Sequence, residues 1–270
     1  MTSSSNPANI IWRAEEYNDL SFAQQVAAKE LLQRLKISRD DCVLDVGCGN
    51  GKITALIADI ATLGKVLGID KSFEMIKFST GKFSKELYPN LRFKLEDAQD
   101  FLYENEFNVI FSSFALQWVE RKNIFLQNSY RSLKNKGLLA ATIPLNISPE
   151  LQESVDSIII LPVWNNYFRN FHPNWFFSDS ETIKSLLIQN LFKIVYFSSC
   201  IQEVLFPSRE SLEKYILLWF PFVEPLPQER KNDFFKQVMD KYFKMLPIKQ
   251  DGSVRLRIPR LDLIAEKIIP

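Results

Sequence analysis

The sequence is poor in the residues that build metal centres and covalent frameworks. Its 270 residues hold one histidine, His172, and three cysteines, Cys42, Cys48 and Cys200. These cannot be assembled into a zinc ligand set at familiar spacings, so no metal is expected. An odd cysteine count in a long chain argues against a disulfide framework and for a reducing, cytoplasmic compartment. Charge of either sign is not in excess: 33 Lys+Arg stand against 32 Asp+Glu, for a net charge of +1. Without a basic field or a block of like charges, neither nucleic acid nor an anionic membrane is an expected partner. Long apolar runs are missing too. The run Ser157-Ile158-Ile159-Ile160-Leu161 is far short of the roughly 18 residues that cross a bilayer, and the first residues lack the basic-then-apolar profile of a secretory leader. With 46% hydrophobic and 24% charged residues, the composition is that of a globular chain forming one large domain or a domain with a cap.

Glycine is also scarce, which makes its distribution informative. Three of the eight glycines fall within five residues, in Val43-Leu44-Asp45-Val46-Gly47-Cys48-Gly49-Asn50-Gly51-Lys52. This reads as a buried strand, a tight turn and a helix beginning near Lys52. Lacking Cβ, glycine accepts positive φ and lets a ligand lie against the backbone. A strand-turn-helix of this kind presents backbone N–H groups and a helix N-terminus, a device used for dinucleotides and for S-adenosylmethionine. A dinucleotide fingerprint needs a third glycine where Lys52 stands. The pattern here is G-x-G-x-G behind Asp45, whose carboxylate suits an ammonium and repels a pyrophosphate. Those details favour S-adenosylmethionine over a nicotinamide cofactor.

The following segments alternate strand and helix. Lys65–Asp70 reads as a second buried strand ending in an acid able to accept both hydroxyls of a ribose. Ser72 reads as the N-cap of a helix to about Leu87. Leu91–Leu95 is a third strand running into the acidic stretch Glu96–Asp100, which on its own is equally a helix start. Phe107–Ser113 is the fourth strand. The turn Phe114-Ala115-Leu116-Gln117-Trp118-Val119 after it falls where an open α/β sheet binds ligands, so Gln117 and Trp118 are candidate acceptor-pocket residues; Trp118 could equally pack under the next helix, Asn123–Leu133. Gly137–Thr142 is the fifth strand. Ahead of all these, Trp12–Leu35 reads as an amphipathic helix in which Tyr17 either packs on the sheet or closes over the cofactor.

The rhythm breaks at Pro144. Seven large rings fall within the fourteen residues from Trp164 to Phe177, as either the wall of a substrate pocket or the core of a cap. His172 lies among them, the sole ready-made neutral-pH base. Asp179–Asn190 reads as a helix, Phe192–Phe206 as a strand pair or one long strand, and Ser208–Leu246 as helices broken at Pro221, Pro225 and Pro227. In the closing strand Ser253–Ile264, Val254, Leu256 and Ile258 alternate with Arg255 and Arg257, and Pro259 suggests a bulge or an end to regular pairing. The expected organisation is an N-terminal helical segment (1–40), a cofactor core (41–145), cap insertions (146–190 and 207–250) and closing strands (191–206 and 251–270).

In order and spacing, the segments Val43–Lys52, Gly68–Met75, Leu95–Phe101 and Phe111–Val119 resemble the motifs of class I S-adenosylmethionine-dependent methyltransferases. Phe114–Val119 and Leu256-Arg257-Ile258-Pro259-Arg260-Leu261 further resemble the group of trans-aconitate, malonyl-carrier-protein and juvenile-hormone-acid methyltransferases. The resemblance implies a doubly wound, seven-stranded, mostly parallel Rossmann-like α/β sheet with a helical cap. It implies cofactor contacts from Asp45, Gly47, Cys48, Gly49 and Gly51, from Asp70, Lys71 and Met75, and from Ser112 and Ser113. By the same resemblance Asp97 and Ala98 meet the adenine. The pair Ser112-Ser113 departs from the small residue plus asparagine expected there. The narrower resemblance implies O-methylation of a carboxylate on a small or carrier-bound acid, the partner expected here. Chemistry agrees, since a carboxylate is already ionised at neutral pH and needs positioning more than a base. Arg257 and Arg260 are the expected carboxylate fork, with Gln117, Trp118, Trp164 and His172 beside the acceptor. A quinone- or lipid-type C/O-methyltransferase and a non-catalytic cofactor-binding protein are the alternatives.

Overall fold

The computed structural model describes residues 21–269. Its first element, α1 (Phe22–Arg34), is the described part of the helix read from Trp12; Tyr17 lies outside the described residues. Ala23, Ala27, Ala28, Leu31 and Leu35 are all buried, which fits a helix laid along a sheet.

Strand and helix then alternate as β1 (Cys42–Val46), α2 (Lys52–Ile60), β2 (Lys65–Asp70), α3 (Phe73–Lys82), β3 (Leu91–Leu95), β4 (Phe107–Ser113), α4 (Lys122–Ser132) and β5 (Leu133–Pro144). The helix α3 is shorter than its periodicity suggests. It stops at Lys82, and Phe83 turns back to stack edge-on against Tyr88 at 5.4 Å between ring centroids. Ser72 caps its start, accepting from the Met75 N–H at 3.3 Å. At its other boundary, α4 ends at Ser132 and β5 begins at once with Leu133.

After α5 (Pro149–Ile159) and α6 (Asn165–Phe168) come α7 (Ser180–Gln189) and β6 (Phe192–Phe206), a single long strand. The chain closes with α8 (Arg209–Leu217), α9 (Gln228–Met245) and β7 (Val254–Lys267). The seven strands form one sheet in the order β3-β2-β1-β4-β5-β7-β6. Pairing is parallel from β3 through β5 and antiparallel between β5 and β7. The chain leaves β1 in one direction through β2 and β3, then returns to β4 on the other side of β1. That reversal opens a crevice at the carboxyl ends of β1 and β4.

Strand residues alternate between two apolar layers. Leu44, Val46, Ile110, Leu139, Ala141 and Leu263 pack with Phe125 and Leu126 of α4 and Ile183 and Leu187 of α7. Val43, Phe111, Ala140 and Ile264 pack with Ala28 and Leu31 of α1 and Ile57 and Ala58 of α2. The sheet is therefore doubly wound, and each buried Leu, Ile or Phe contributes roughly 1.5–3 kcal/mol. Along β7, residues Val254–Pro259 alternate buried and half-buried, whereas Arg260–Ala265 are buried on both faces. Pairing with β5 begins at Arg260, opposite Pro144. Pro259, which has no N–H to donate, thus stands just outside the β5 ladder, with no break in the strand.

By their contacts the described residues divide into two compact units, one of 21–145, 176–200 and 259–269 and the other of 146–175 and 201–258. The second has a core of rings. Trp164 is fully buried, stands edge-on to Phe234 at 5.2 Å, donates its Nε1–H to Gln237 Oε1 at 3.1 Å and lies under the Arg230 guanidinium at 4.8 Å. Phe168 meets Phe171, Phe222 and Phe234 within 6.3 Å. No helix among the described residues is long and apolar enough to cross a membrane.

Candidate functional site

The glycine turn closes β1. Gly47, Gly49 and Gly51 all have positive φ, at +74°, +52° and +76°, a backbone that other residues adopt only under strain. At Gly47 a Cβ would lie 2.2 Å from the Ala115 Cβ, so the turn after β4 presses directly on the turn after β1. At Gly49 a Cβ would meet nothing within 4 Å; that face of the backbone is open.

The turn's N–H groups are mostly spent inside the fold. Those of Gly47 and Cys48 both donate to the Ile69 carbonyl, at 2.8 and 3.0 Å, and Gly51 donates to the Cys48 carbonyl. The Gly49 N–H donates to Asp70 Oδ2 at 2.9 Å. What the turn offers a ligand is bare backbone surface between two acids, not the row of free N–H groups that its sequence suggests.

Those acids sit in different settings. Asp45 is buried, and Thr54 of α2 donates its hydroxyl to Asp45 Oδ2 at 2.7 Å. Desolvation pushes the Asp45 carboxyl up to about 7, against the Thr54 hydrogen bond and with a further push from Asp70. Asp70 accepts from Gly49 on one oxygen and from the Ser72 N–H on the other, at 2.9 Å each. Burial raises its carboxyl above the ordinary range despite those two bonds. Each oxygen keeps further acceptor capacity, as the two hydroxyls of a diol would require. Cys48 is buried between these acids, and desolvation holds its thiol well above its usual value, so it is protonated and inert.

Beyond β4 the backbone is strained at Phe114, which has φ +52° and donates its N–H to the Thr142 carbonyl at 3.0 Å. A turn of 3₁₀ helix, Leu116–Trp118, follows. It brings a buried Gln117 into the crevice-side loop, with Nε2 donating to the Phe114 carbonyl at 2.8 Å.

A glycine turn beneath a buried, cation-seeking carboxylate, at the switch point of a seven-stranded sheet, has known counterparts. Residues 37–162 match a family model described as a methyltransferase domain. Over those residues, a little under half of its length, the chain is similar to methyltransferase domains. Protein 235L of invertebrate iridescent virus 6, itself named only as a methyltransferase, is 29% identical over 92% of this chain and 89% of its own length. The trans-aconitate 2-methyltransferase of Enterobacter sp. strain 638 is 23% identical over 95% of this chain and 98% of its own. Among solved structures, the YcgJ protein of Bacillus subtilis superposes with a TM-score of 0.62, covering 93% of this chain and all of that one at 13% identity.

The methyltransferase fold brings most of the expected cofactor residues to one edge of the sheet. Asp45, Gly47, Cys48, Gly49 and Gly51 close β1, Asp70 closes β2, and Ser112 and Ser113 close β4. Lys71 is exposed and Met75 is buried at the start of α3. Asp97 and Ala98, just beyond β3, are half-buried, and Asp97 Oδ1 accepts from the Gln99 N–H at 2.8 Å. Ser112 turns inward instead, donating to the Val46 carbonyl at 2.9 Å with no exposed surface. Ser113 shares a hydrogen bond with Thr142, Oγ to Oγ1 at 3.0 Å.

The expected substrate residues are less united. Trp164 is walled into the ring core described above, because its indole has a protein partner on every side that matters. His172 is exposed in the same unit. Arg257, also there, pairs with Glu150 at 2.7 Å. Arg260 belongs to the sheet unit and is 4% exposed. Its Nε and Nη2 clasp Asp262, and Nη2 also reaches Glu30 of α1. Each of the two arginines is held by a carboxylate of its own unit. Arg260 Nη1, however, is buried without a hydrogen-bond partner.

Thr54 and Thr142 were not legible as crevice residues, and Phe114 and Ala115 were legible only as members of the turn after β4. For Ala115 a signal existed, since a glycine turn packed this closely needs a small residue opposite. For Phe114 none did, because an aromatic residue gives no hint of positive φ.

Proposed function

We propose that this chain transfers a methyl group from S-adenosylmethionine to a carboxylate of a small or carrier-bound acid, forming a methyl ester. The cofactor supplies a sulfonium-bound methyl that is electrophilic without further activation. Asp45, desolvated and paired only with a hydroxyl, gains a counter-charge from the ligand's ammonium. The open backbone at Gly49 leaves room for the amino-acid end, and Asp70 holds the ribose diol.

One observation carries the acceptor class: Arg260 Nη1 is a buried cationic donor with nothing to donate to, at the carboxyl end of β5. Leaving such a group unpaired is costly, and an anionic oxygen relieves it best. The side chains at the ends of β4 and β5, Ser113, Thr142 and Gln117, are neutral. They can orient an acceptor, and a carboxylate asks for no proton to be removed. The trans-aconitate 2-methyltransferases among the relatives, named for an acid, support the same class. Held in line and kept from water, two such reactants gain roughly 7–11 kcal/mol from orientation alone.

The test is to incubate purified protein with labelled S-adenosylmethionine and a panel of di- and tricarboxylic acids, carrier-bound acids, phenols and quinone precursors. Alkali-labile label on an acid is the expected result. Label on a phenol or quinone carbon, with no acid methylated, would replace this reading with the C/O-methyltransferase alternative.

A further inference from the structure

Gln117 makes a demand that the carboxylate reading does not meet. Its side chain is 8% exposed, and the two ends of its amide are unequal. Nε2 donates to the Phe114 carbonyl at 2.8 Å. That bond fixes which end is which, since the reversed amide would set two carbonyl oxygens against each other. Oε1 is therefore committed to the opposite direction, where it is buried and accepts from nothing. The holder of the amide is itself constrained. Phe114 sits at φ +52° between the Gly47–Ala115 contact and its own bond to Thr142, so its carbonyl cannot swing to suit the glutamine. From the other side, the Gln117 carbonyl takes the Phe176 N–H at 2.8 Å, pinning the residue's backbone. The amide is held at its nitrogen by Phe114 and the residue's backbone by Phe176, with the amide acceptor left over.

We propose that Gln117 Oε1 reads a hydrogen-bond donor, an N–H or O–H, on the molecule bound at this edge of the sheet. The inference rests on the methyltransferase reading and narrows it. An ionised carboxylate has no hydrogen to give, so the partner is another group. It is either the ammonium of the cofactor or a hydroxyl, amide or amine that the acid carries besides its reacting carboxylate. Gln117 is on this account a specificity residue rather than a catalytic one.

Calorimetric titrations of the full chain separate the two sources. The probes are S-adenosylhomocysteine, which has the ammonium, and 5′-methylthioadenosine, which keeps the nucleoside and lacks it. Gln117→Met removes the acceptor at equal bulk. If the ammonium is the donor, Gln117→Met weakens S-adenosylhomocysteine tenfold or more and leaves methylthioadenosine within twofold. If the acid is the donor, both nucleosides bind as in wild type, and KM rises tenfold only for acids that carry a hydroxyl, amide or amine. Equal losses toward both nucleosides and all acids, or unchanged binding and KM with a lowered melting temperature, would reduce Gln117 to a prop for Phe114 and overturn the proposal. Wild-type protein that binds neither nucleoside would instead overturn the methyltransferase reading beneath it.

Discussion

The two units bury different things. The unit of 146–175 and 201–258 fills its interior with rings, among them Trp164, Phe220, Phe222, Phe234, Tyr215 and Tyr242. Those groups gain by leaving water, and their packing stabilises the fold directly. The sheet unit has an apolar interior too, mostly aliphatic with a few rings such as Phe101, Phe111 and Phe125, between its strands and helices. At the carboxyl ends of the strands it also buries Asp45, Gln117, Arg260 and Asp262. These groups lose by leaving water unless something meets them. The difference teaches what a ligand can add: packed rings are complete as built, whereas Gln117 Oε1 and Arg260 Nη1 at the strand ends are buried polar atoms that binding can meet.

The comparison can be broken by substitution. The largest expected effect is Trp164→Ala, which removes a fully buried indole and should cost about 3–5 kcal/mol in urea denaturation, with affinity for S-adenosylhomocysteine within twofold of wild type. A tenfold loss of affinity at unchanged stability would make Trp164 a ligand contact after all. Arg260→Met should cost a similar ~3–5 kcal/mol, because it strands the Asp262 carboxylate, 6% exposed, without its cation. Arg257→Met, three residues earlier on the same strand, should cost under about 1 kcal/mol, since the Arg257–Glu150 pair is partly open to solvent. Equal costs for the two arginines would contradict the assignment of Arg260 as the buried one.

Between these in size lies Asp45→Asn, whose effects on stability and on binding have opposite signs. The Asp45 carboxyl titrates near 7 in the folded chain against an ordinary value of 3.8. The folded state thus holds a proton that the unfolded state gives up. The associated stability is present below about pH 4 and is lost as pH rises through about 7. The asparagine variant lacks that loss, so its melting temperature should exceed that of wild type at pH 8, with the gap narrowing below pH 7 and closing only as the pH approaches 4. Cofactor binding should run the other way. Asparagine should weaken it at least tenfold at pH 8, and the wild-type affinity should fall by up to about tenfold per pH unit below pH 7, where the variant's stays flat.

How much of this could be read from the chain depends on what each residue encodes. The turn at Gly47, Gly49 and Gly51 was legible because positive φ leaves few choices of residue, and the strands because β1, β4 and β5 are apolar runs buried on both faces. The placing of Asp45 and Asp70 at the crevice was legible because both stand at strand ends. The fate of Trp164 was not, since a cluster of rings has the same sequence pattern whether it walls a pocket or fills a core. Arg260 was expected, with Arg257, as a carboxylate fork on the strength of a resemblance, which carries no information about what packs beyond Pro259. Beyond that proline both faces are buried, and Asp262, two residues on and on the same face, takes the guanidinium. The strain at Phe114 and the half-satisfied Gln117 arise from packing between distant turns, which no local pattern records.

The most direct measurement is a calorimetric titration of S-adenosylmethionine into wild-type protein and Asp45→Asn at pH 8 and pH 6. The account predicts micromolar binding to wild type at pH 8, clearly weaker at pH 6, and a weak, pH-independent affinity in the variant. Wild-type binding that is unchanged between the two pH values and matched by the variant would remove Asp45 as the ligand's counter-charge. No binding at all would contradict the cofactor assignment itself.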